Sequence, residues 1–124
     1  MKSLLWTSLF ILLVSFSCID EEDARRQDLL VLDQLRSEII ALSESVSCTN
    51  ADQWKFSPMG SKACGGPERY VAYHQSVETS ILALIEQYTF QQAQYNQANN
   101  VVSDCLLILT PQGVKCENEK PVLF

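Results

Sequence analysis

Residues 61–73 constrain the fold of this chain more than any other stretch; they read Ser-Lys-Ala-Cys-Gly-Gly-Pro-Glu-Arg-Tyr-Val-Ala-Tyr. The pair Gly65-Gly66 allows backbone angles that other residues avoid, and Pro67 fixes the angle that follows. Apolar residues at helical spacing come after this proline, and proline suits the first position of a helix. The stretch therefore predicts a joint between two helices, held by a disulfide at Cys64.

Two apolar stripes predict the helices on either side of this joint. The first helix is expected over residues 22–47, where neither glycine nor proline occurs. The second is expected over residues 67–99, with Asn99-Asn100 as its stop. Spacings of three and four residues place each apolar set on one helix face. The stripes are Leu32, Leu35, Ile39, Leu42 and Val46 in the first helix, and Tyr70, Tyr73, Val77, Ile81, Leu84, Tyr88 and Tyr95 in the second.

The end of the chain has the composition of strands and turns. Residues 101–109 are rich in Val, Leu and Ile, residues 110–113 read as a turn, and residues 117–120 read as a second turn before a last short strand. The predicted fold is mainly α, of α+β class: an antiparallel two-helix hairpin with a small disulfide-stapled C-terminal β element. Residues 18–124 are expected to form a single domain.

Four cysteines are expected to form two disulfides: Cys48, Cys64, Cys105 and Cys116. The pairing Cys48–Cys64 with Cys105–Cys116 closes loops of 15 and 10 intervening residues. Short loops lose the least chain entropy on closure, so this local pairing is predicted. The alternative, Cys64–Cys105 with Cys48–Cys116, would tie the C-terminal strands to the helices. Both pairings remain open at this stage.

The N-terminus has the pattern of an export signal over residues 1–17. Lys2 provides a positive charge, a short uncharged apolar run follows, and Ser17 precedes Cys18. The sequence Ser15-Phe16-Ser17-Cys18 resembles a bacterial lipobox, in which the cysteine is acylated with a lipid such as palmitate. The alternative is ordinary cleavage after Ser17. Five cysteines in an exported chain leave one unpaired, and lipidation of Cys18 would account for it.

Charge limits the partners and the location. The formal net charge is −6 and becomes −7 once Lys2 is removed, which argues against nucleic acid. Residues 20–23 (Asp-Glu-Glu-Asp) resemble the acidic export tag of surface-displayed lipoproteins in the Bacteroidetes group. We therefore expect an exported outer-membrane lipoprotein, anchored through Cys18 and facing either the periplasm or the cell surface.

Candidate ligand-binding residues are few. Trp54 and Phe56 either pack into the open end of the helix pair, which we favour, or bind a ligand. A groove lined by Trp54, Lys62, Tyr70 and Tyr73 would indicate binding, whereas a packed joint would indicate a structural role. The chain has one histidine, His74, which excludes a multi-histidine metal site and is expected to be a surface residue.

The cysteines and several residues between them follow the pattern Cys…Gly-x-Lys-x-Cys-Gly-Gly-Pro…Tyr-x-x-Tyr…Asn…Ser-x-Cys…Pro…Cys. This pattern resembles that of a set of small exported bacterial proteins. The resemblance spans residues 48–116 and implies an architecture and an envelope location, without a reaction. In this chain it is carried by Cys48, Trp54, Gly60, Lys62, Cys64, Gly65, Gly66, Pro67, Tyr70, Tyr73, Asn96, Ser103, Asp104, Cys105, Pro111 and Cys116.

The expected function is that of a small lipid-anchored binding or inhibitory module of the bacterial cell envelope, with a protein or a cell-wall component as ligand. The alternative is a structural envelope lipoprotein that binds no ligand. No phosphate-loop pattern, metal-ligand cluster or Cys-x-x-Cys motif occurs, so neither a catalytic residue nor a cofactor is predicted.

Overall fold

The computed structural model describes residues 21–124. The predicted signal peptide, Cys18 and Asp20 lie outside the described residues. No helix in the described part of the chain is long and apolar enough to cross a membrane. The elements are α1 (Glu21–Ser43), a 3-10 turn (Ala51–Gln53), β1 (Trp54–Met59), β2 (Arg69–His74), a 3-10 turn (Gln75–Val77), α2 (Glu78–Ala98), β3 (Val114–Glu117) and β4 (Lys120–Leu123).

Helix α1 follows the predicted stripe but ends earlier than expected. Leu32, Leu35 and Ile39 are buried, as their spacing predicts. The hydroxyl of Ser43 donates to the carbonyl of Ile40 at 2.8 Å, and the hydroxyl of Ser45 donates to the carbonyl of Leu42 at 2.7 Å. Serine side chains that hydrogen-bond the local backbone compete with helix continuation. The helix therefore stops at Ser43 and not at residue 47.

The predicted helical hairpin is wrong, because a two-stranded sheet separates the two helices in the chain. β1 pairs with β2 in antiparallel register, with Trp54 opposite His74 and Met59 opposite Arg69. Residues 69–77, predicted as the start of the second helix, form β2 and a 3-10 turn. Val71, Ala72 and Tyr73 are all buried, so both faces of β2 are covered. A strand buried on both faces lacks the alternation that would distinguish it from a helix.

The two helices pack side by side in opposite directions on one face of the β1–β2 sheet. Arg25, near the start of α1, donates to the hydroxyl of Tyr95, near the end of α2, at 3.1 Å. Arg36, farther along α1, donates to Tyr88, which is earlier in α2. The core between the helices and the sheet contains Leu32, Leu35, Ile39, Met59, Val71, Tyr73, Ile81, Ile85 and Tyr88.

The β3–β4 hairpin covers the opposite face of the sheet. Cys48, Trp54 and Ala72 form a second buried cluster there, which Val114 and Leu123 of the hairpin cover. Asn118 and Glu119 have positive φ angles of 50° and 61°, as a tight two-residue hairpin turn requires. The predicted second turn and last strand are thus confirmed. The predicted strand over residues 101–109 is wrong, since residues 99–113 contain neither helix nor strand.

The two disulfides join distant parts of the chain. Cys48 pairs with Cys116 and Cys64 pairs with Cys105, each with a Cα–Cα distance of 5.3 Å. The predicted local pairing is wrong and the non-local alternative is the one observed. The entropy cost of loop closure grows only with the logarithm of loop length, so a long loop costs little more than a short one. Packing in the folded state therefore decides which cysteines meet.

Candidate functional site

The four predicted ligand-binding residues do not line one groove. Trp54 and Tyr70 share one face of the β1–β2 sheet, and the ring of Trp54 meets His74 edge to face at 5.5 Å. Tyr73 lies on the other face, in the core under the helices. Side chains alternate between the faces of a strand, so Tyr70 and Tyr73 point in opposite directions. Trp54 and Tyr73 are buried in this packed joint, whereas Lys62 and Tyr70 are partly exposed.

Lys62 holds the loop between β1 and β2 against the segment that follows α2. Its Nζ donates to Asp104 Oδ1 at 2.5 Å and to the carbonyl of Leu106 at 2.8 Å. The hydrogen bond from Lys62 lowers the pKa of Asp104 below its ordinary value. Next to this ion pair, the backbone N–H of Cys64 donates to Ser103 Oγ at 3.0 Å. Lys62 is therefore bound to two acceptors within the protein.

The same loop is fastened to α2 by side chains of the helix. The N–H of Gly60 donates to Thr89 Oγ1 at 2.9 Å, and the N–H of Ser61 donates to Gln92 Oε1 at 2.6 Å. Asn96 Nδ2 donates to the carbonyl of Ser61 at 2.7 Å. Several residues that carry the resemblance thus meet at one place and form a joint between loop, helix and C-terminal segment; they are Gly60, Lys62, Cys64, Asn96, Ser103, Asp104 and Cys105.

A half-buried carboxylate, that of Glu68, is the centre of a polar network that the sequence did not reveal. It accepts from Arg36 Nη2 at 3.0 Å, from the hydroxyl of Tyr88 at 2.9 Å and from Gln92 Nε2 at 3.0 Å. Arg69 contributes a fourth donor at 3.3 Å. A carboxylate has about four acceptor positions, so these donors occupy its capacity. The one sign of this site in the sequence is Gly60, a loop residue that has a positive φ and packs closely against Glu68.

Opposing effects set the pKa of Glu68. Burial raises the pKa, but the hydrogen bonds from Gln92 and Tyr88 and the charges of Arg36 and Arg69 outweigh it. The pKa of Glu68 is therefore below its ordinary value, and the group stays ionised at neutral pH. For Tyr88, burial raises the pKa of the hydroxyl, which remains protonated and donates to Glu68. The network is a fixed set of charges and dipoles that connects α1, β2 and α2.

His74 caps the 3-10 turn between β2 and α2. Its Nδ1 accepts from the backbone N–H of Ser76 at 3.2 Å, and its Nε2 lies 3.4 Å from Gln53 Oε1. Glu78, one turn away, pairs with Lys55 at 2.9 Å. Within residues 21–124, no group of three His, Cys, Asp or Glu side chains could hold a metal ion.

Within residues 21–124, two apolar surface features are accessible to a partner. The first is the groove on the outer side of α2, about 730 Å³ in volume. Its apolar lining is provided by Pro58 of β1 and by Leu82, Ala83, Ile85, Phe90 and Ala93 of α2. Phe90 leaves 61% of its surface exposed there. We call this feature the α2 groove.

The second is the apolar segment, which we define as residues 102–109. Val102, Leu106, Leu107 and Leu109 expose between 76% and 91% of their surfaces. Monomeric proteins seldom leave large apolar side chains grouped in this way on the surface. No protein-family model, curated protein or solved structure matches this chain.

Proposed function

We propose that this protein is a non-catalytic binding module of the bacterial envelope, anchored in the outer membrane by a lipid on Cys18. Its two disulfides indicate an oxidising, extracytoplasmic compartment. The signal-like N-terminus supports export, and the cysteine after Ser17 supports lipidation. The acidic residues that follow are compatible with display on the cell surface.

The α2 groove is the observation that carries the proposal. It is apolar and open, as are the grooves in which proteins receive a segment of a partner. Helix α2 contains Glu78 and Glu86 and no basic residue. Glu86 lies on the rim of the groove. The expected ligand is an apolar segment of another envelope protein, flanked by a Lys or Arg that faces Glu86.

The internal chemistry agrees with a binding role that involves no reaction. The ionised Glu68 is saturated by donors, and Lys62 and His74 are engaged with neighbouring groups. The four cysteines that follow Cys18 in the chain are all in disulfides. The second candidate function, a structural envelope lipoprotein, is favoured by the packed joint around Trp54 and Tyr73.

Photo-crosslinking in native envelopes tests the proposal. We compare the intact chain with Phe90→Asp, which adds a charge in the α2 groove, and with Leu107→Asp, which adds the same charge at an exposed apolar site elsewhere. A protein that crosslinks to the intact chain and to Leu107→Asp, that is lost with Phe90→Asp and that weakens in high salt supports the binding module. Identical crosslinks for all three chains contradict it and favour the structural role.

A further inference from the structure

The exposed apolar segment contains a single charged side chain, that of Asp104. Residues 105–114 contain no Asp, Glu, Lys, Arg or His. The nearest acid before them, Asp104, is paired with Lys62 at 2.5 Å. A surface of large apolar side chains without an unpaired charge can enter the boundary between lipid head groups and acyl chains at little electrostatic cost.

The segment is held in place at three points. Cys105 is bonded to Cys64, the carbonyl of Leu106 accepts from Lys62, and the hydroxyl of Tyr70 lies 2.9 Å from Thr110 Oγ1. The apolar side chains therefore project from a fixed backbone. A fixed projection loses less conformational entropy on binding than a free tail would.

The segment begins at the end of the molecule that is closest to the predicted anchor. Arg25 of α1 meets Tyr95 of α2, so α1 begins where α2 ends. The N–H of Val101 donates to the carbonyl of Asn96 at 3.0 Å, and the chain turns back at this end. Cys18 is three residues before Glu21. Three residues span at most about 11 Å, so a lipid on Cys18 would hold this end of the domain at the membrane.

We infer that the apolar segment docks onto a lipid surface, with Val102, Leu106, Leu107 and Leu109 inserted at the head-group boundary. This inference rests on the lipid anchor of the proposed function but not on the α2 groove. Glu21, Glu22 and Asp23 occupy the first turn of α1 at the same end. Their charge disfavours anionic lipids, so the expected surface is neutral.

A second copy of the chain is a less suitable partner for the apolar segment than a lipid surface is. Each of the four side chains can bury on the order of 100 Å², which gives about 400 Å² for the segment. A stable protein interface takes about 800 Å² from each partner. A lipid surface has no such minimum area, because the anchor already holds the domain beside it.

Depth-dependent quenching of tryptophan tests the inference. The full exported chain is incorporated into phosphatidylcholine vesicles that carry bromine on the acyl chains. Leu107→Trp places a reporter in the apolar segment, and Phe90→Trp places one at another exposed site, on α2; the native side chains are 84% and 61% exposed. Trp54 is buried and gives the same background in both. The expected result is quenching and a blue shift for Leu107→Trp alone.

Further measurements separate the outcomes. Leu107→Asn should lower partitioning of the Cys18→Ala chain into neutral vesicles about tenfold, the loss expected for one leucine. Equal quenching of the two reporters overturns the inference, whether or not Cys18 carries lipid. A blue shift of Leu107→Trp that depends on protein concentration and needs no vesicles also overturns it, in favour of a dimer. If Leu107→Trp is quenched with Cys18→Ala but fatty-acid labelling of Cys18 fails, the anchor is wrong and lipid docking stands.

Discussion

The region before Asn99 and the region after it are stabilised in different ways. All of the buried apolar residues in the described chain lie between Leu32 and Tyr88. Of the eight large apolar residues that are exposed within residues 21–124, five lie after Ala98, namely Val102, Leu106, Leu107, Leu109 and Phe124. The first region is held by apolar burial around α1, the β1–β2 sheet and α2. The second is attached to it by disulfides, by a few hydrogen bonds and by the apolar contacts of Val114 and Leu123 with the second cluster.

This difference indicates a division of roles. A region that builds its own core can fold without outside help, whereas a two-stranded hairpin is only marginally stable alone. The C-terminal region keeps its shape because Cys105 and Cys116 are each bonded to the first region. Its apolar side chains are thereby left free to meet another surface. The predictions below test this contrast, from the largest expected effect to the smallest.

Loss of a disulfide should have the largest effect. The paired cysteines are 68 and 41 residues apart. On the chain-entropy estimate, each bridge stabilises the fold by about 4 kcal/mol. We expect Cys48→Ala with Cys116→Ala to lower the free energy of unfolding by at least as much as Cys64→Ala with Cys105→Ala, because Cys48 also packs in the second cluster. Denaturant titration measures the free energy of unfolding of both double variants.

The pairing itself is tested by tryptic digestion without reductant. In the structure, residues 63–69 are linked to residues 70–115, and residues 37–55 are linked to residues 116–124. Local pairing would instead link residues 37–55 to 63–69. Mass spectrometry distinguishes the two sets of linked peptides, and finding the second set would refute the attachment described above.

A substitution in the core should have the next largest effect on stability. Ile81 is fully buried between the helices and the sheet. We expect Ile81→Ala to lower the free energy of unfolding by about 3 kcal/mol, through lost burial and the cavity that it leaves. Leu107→Ala is the matched control and should change stability by less than about 0.5 kcal/mol, since Leu107 is 84% exposed. Similar losses for both variants would show that residue 107 is packed in solution.

The Glu68 network should give a smaller, pH-dependent effect. Glu68→Gln removes the charge that Arg36 and Tyr88 contact and should cost about 2 kcal/mol at pH 7. Because the pKa of Glu68 is lowered in the folded state, its contribution is complete above the ordinary value of 4.5 and is lost as the pH falls below it. The difference in free energy of unfolding between the intact chain and Glu68→Gln should therefore shrink as the pH is lowered from 7 to 3. A constant difference would exclude ionised Glu68 as the cause.

The smallest expected effect is the difference in stability between substitutions at two glycines of the loop between β1 and β2. Gly60 and Gly65 both have positive φ, of 82° and 103°. A Cβ on Gly60 would lie 2.8 Å from Glu68 Cβ, whereas one on Gly65 would meet nothing within 4 Å. We expect Gly65→Ala to cost about 1 kcal/mol for the backbone alone, and Gly60→Ala about 1 kcal/mol more. Thermal unfolding of the two variants compares them, and equal losses would refute the close packing of Gly60 on Glu68.

The sequence by itself determined the features that depend on neighbours in the chain. The stripe of α1 is read from Leu32, Leu35 and Ile39, the stop of α2 from Asn99-Asn100, and the last hairpin from its turn at Asn118-Glu119. Each depends on local periodicity or on residues that accept special backbone angles, and these properties act within a few residues.

The tertiary structure alone decided the features that depend on distant partners. Residues 69–74 fit a helix by spacing and became β2 because β1 offers a strand to pair with and both faces find cover. The cysteines pair across the molecule because packing brings them within 5.3 Å, while chain entropy discriminates only weakly between the pairings. Glu68 meets its donors for the same reason: Arg36, Tyr88 and Gln92 come from two helices that only the folded core brings together.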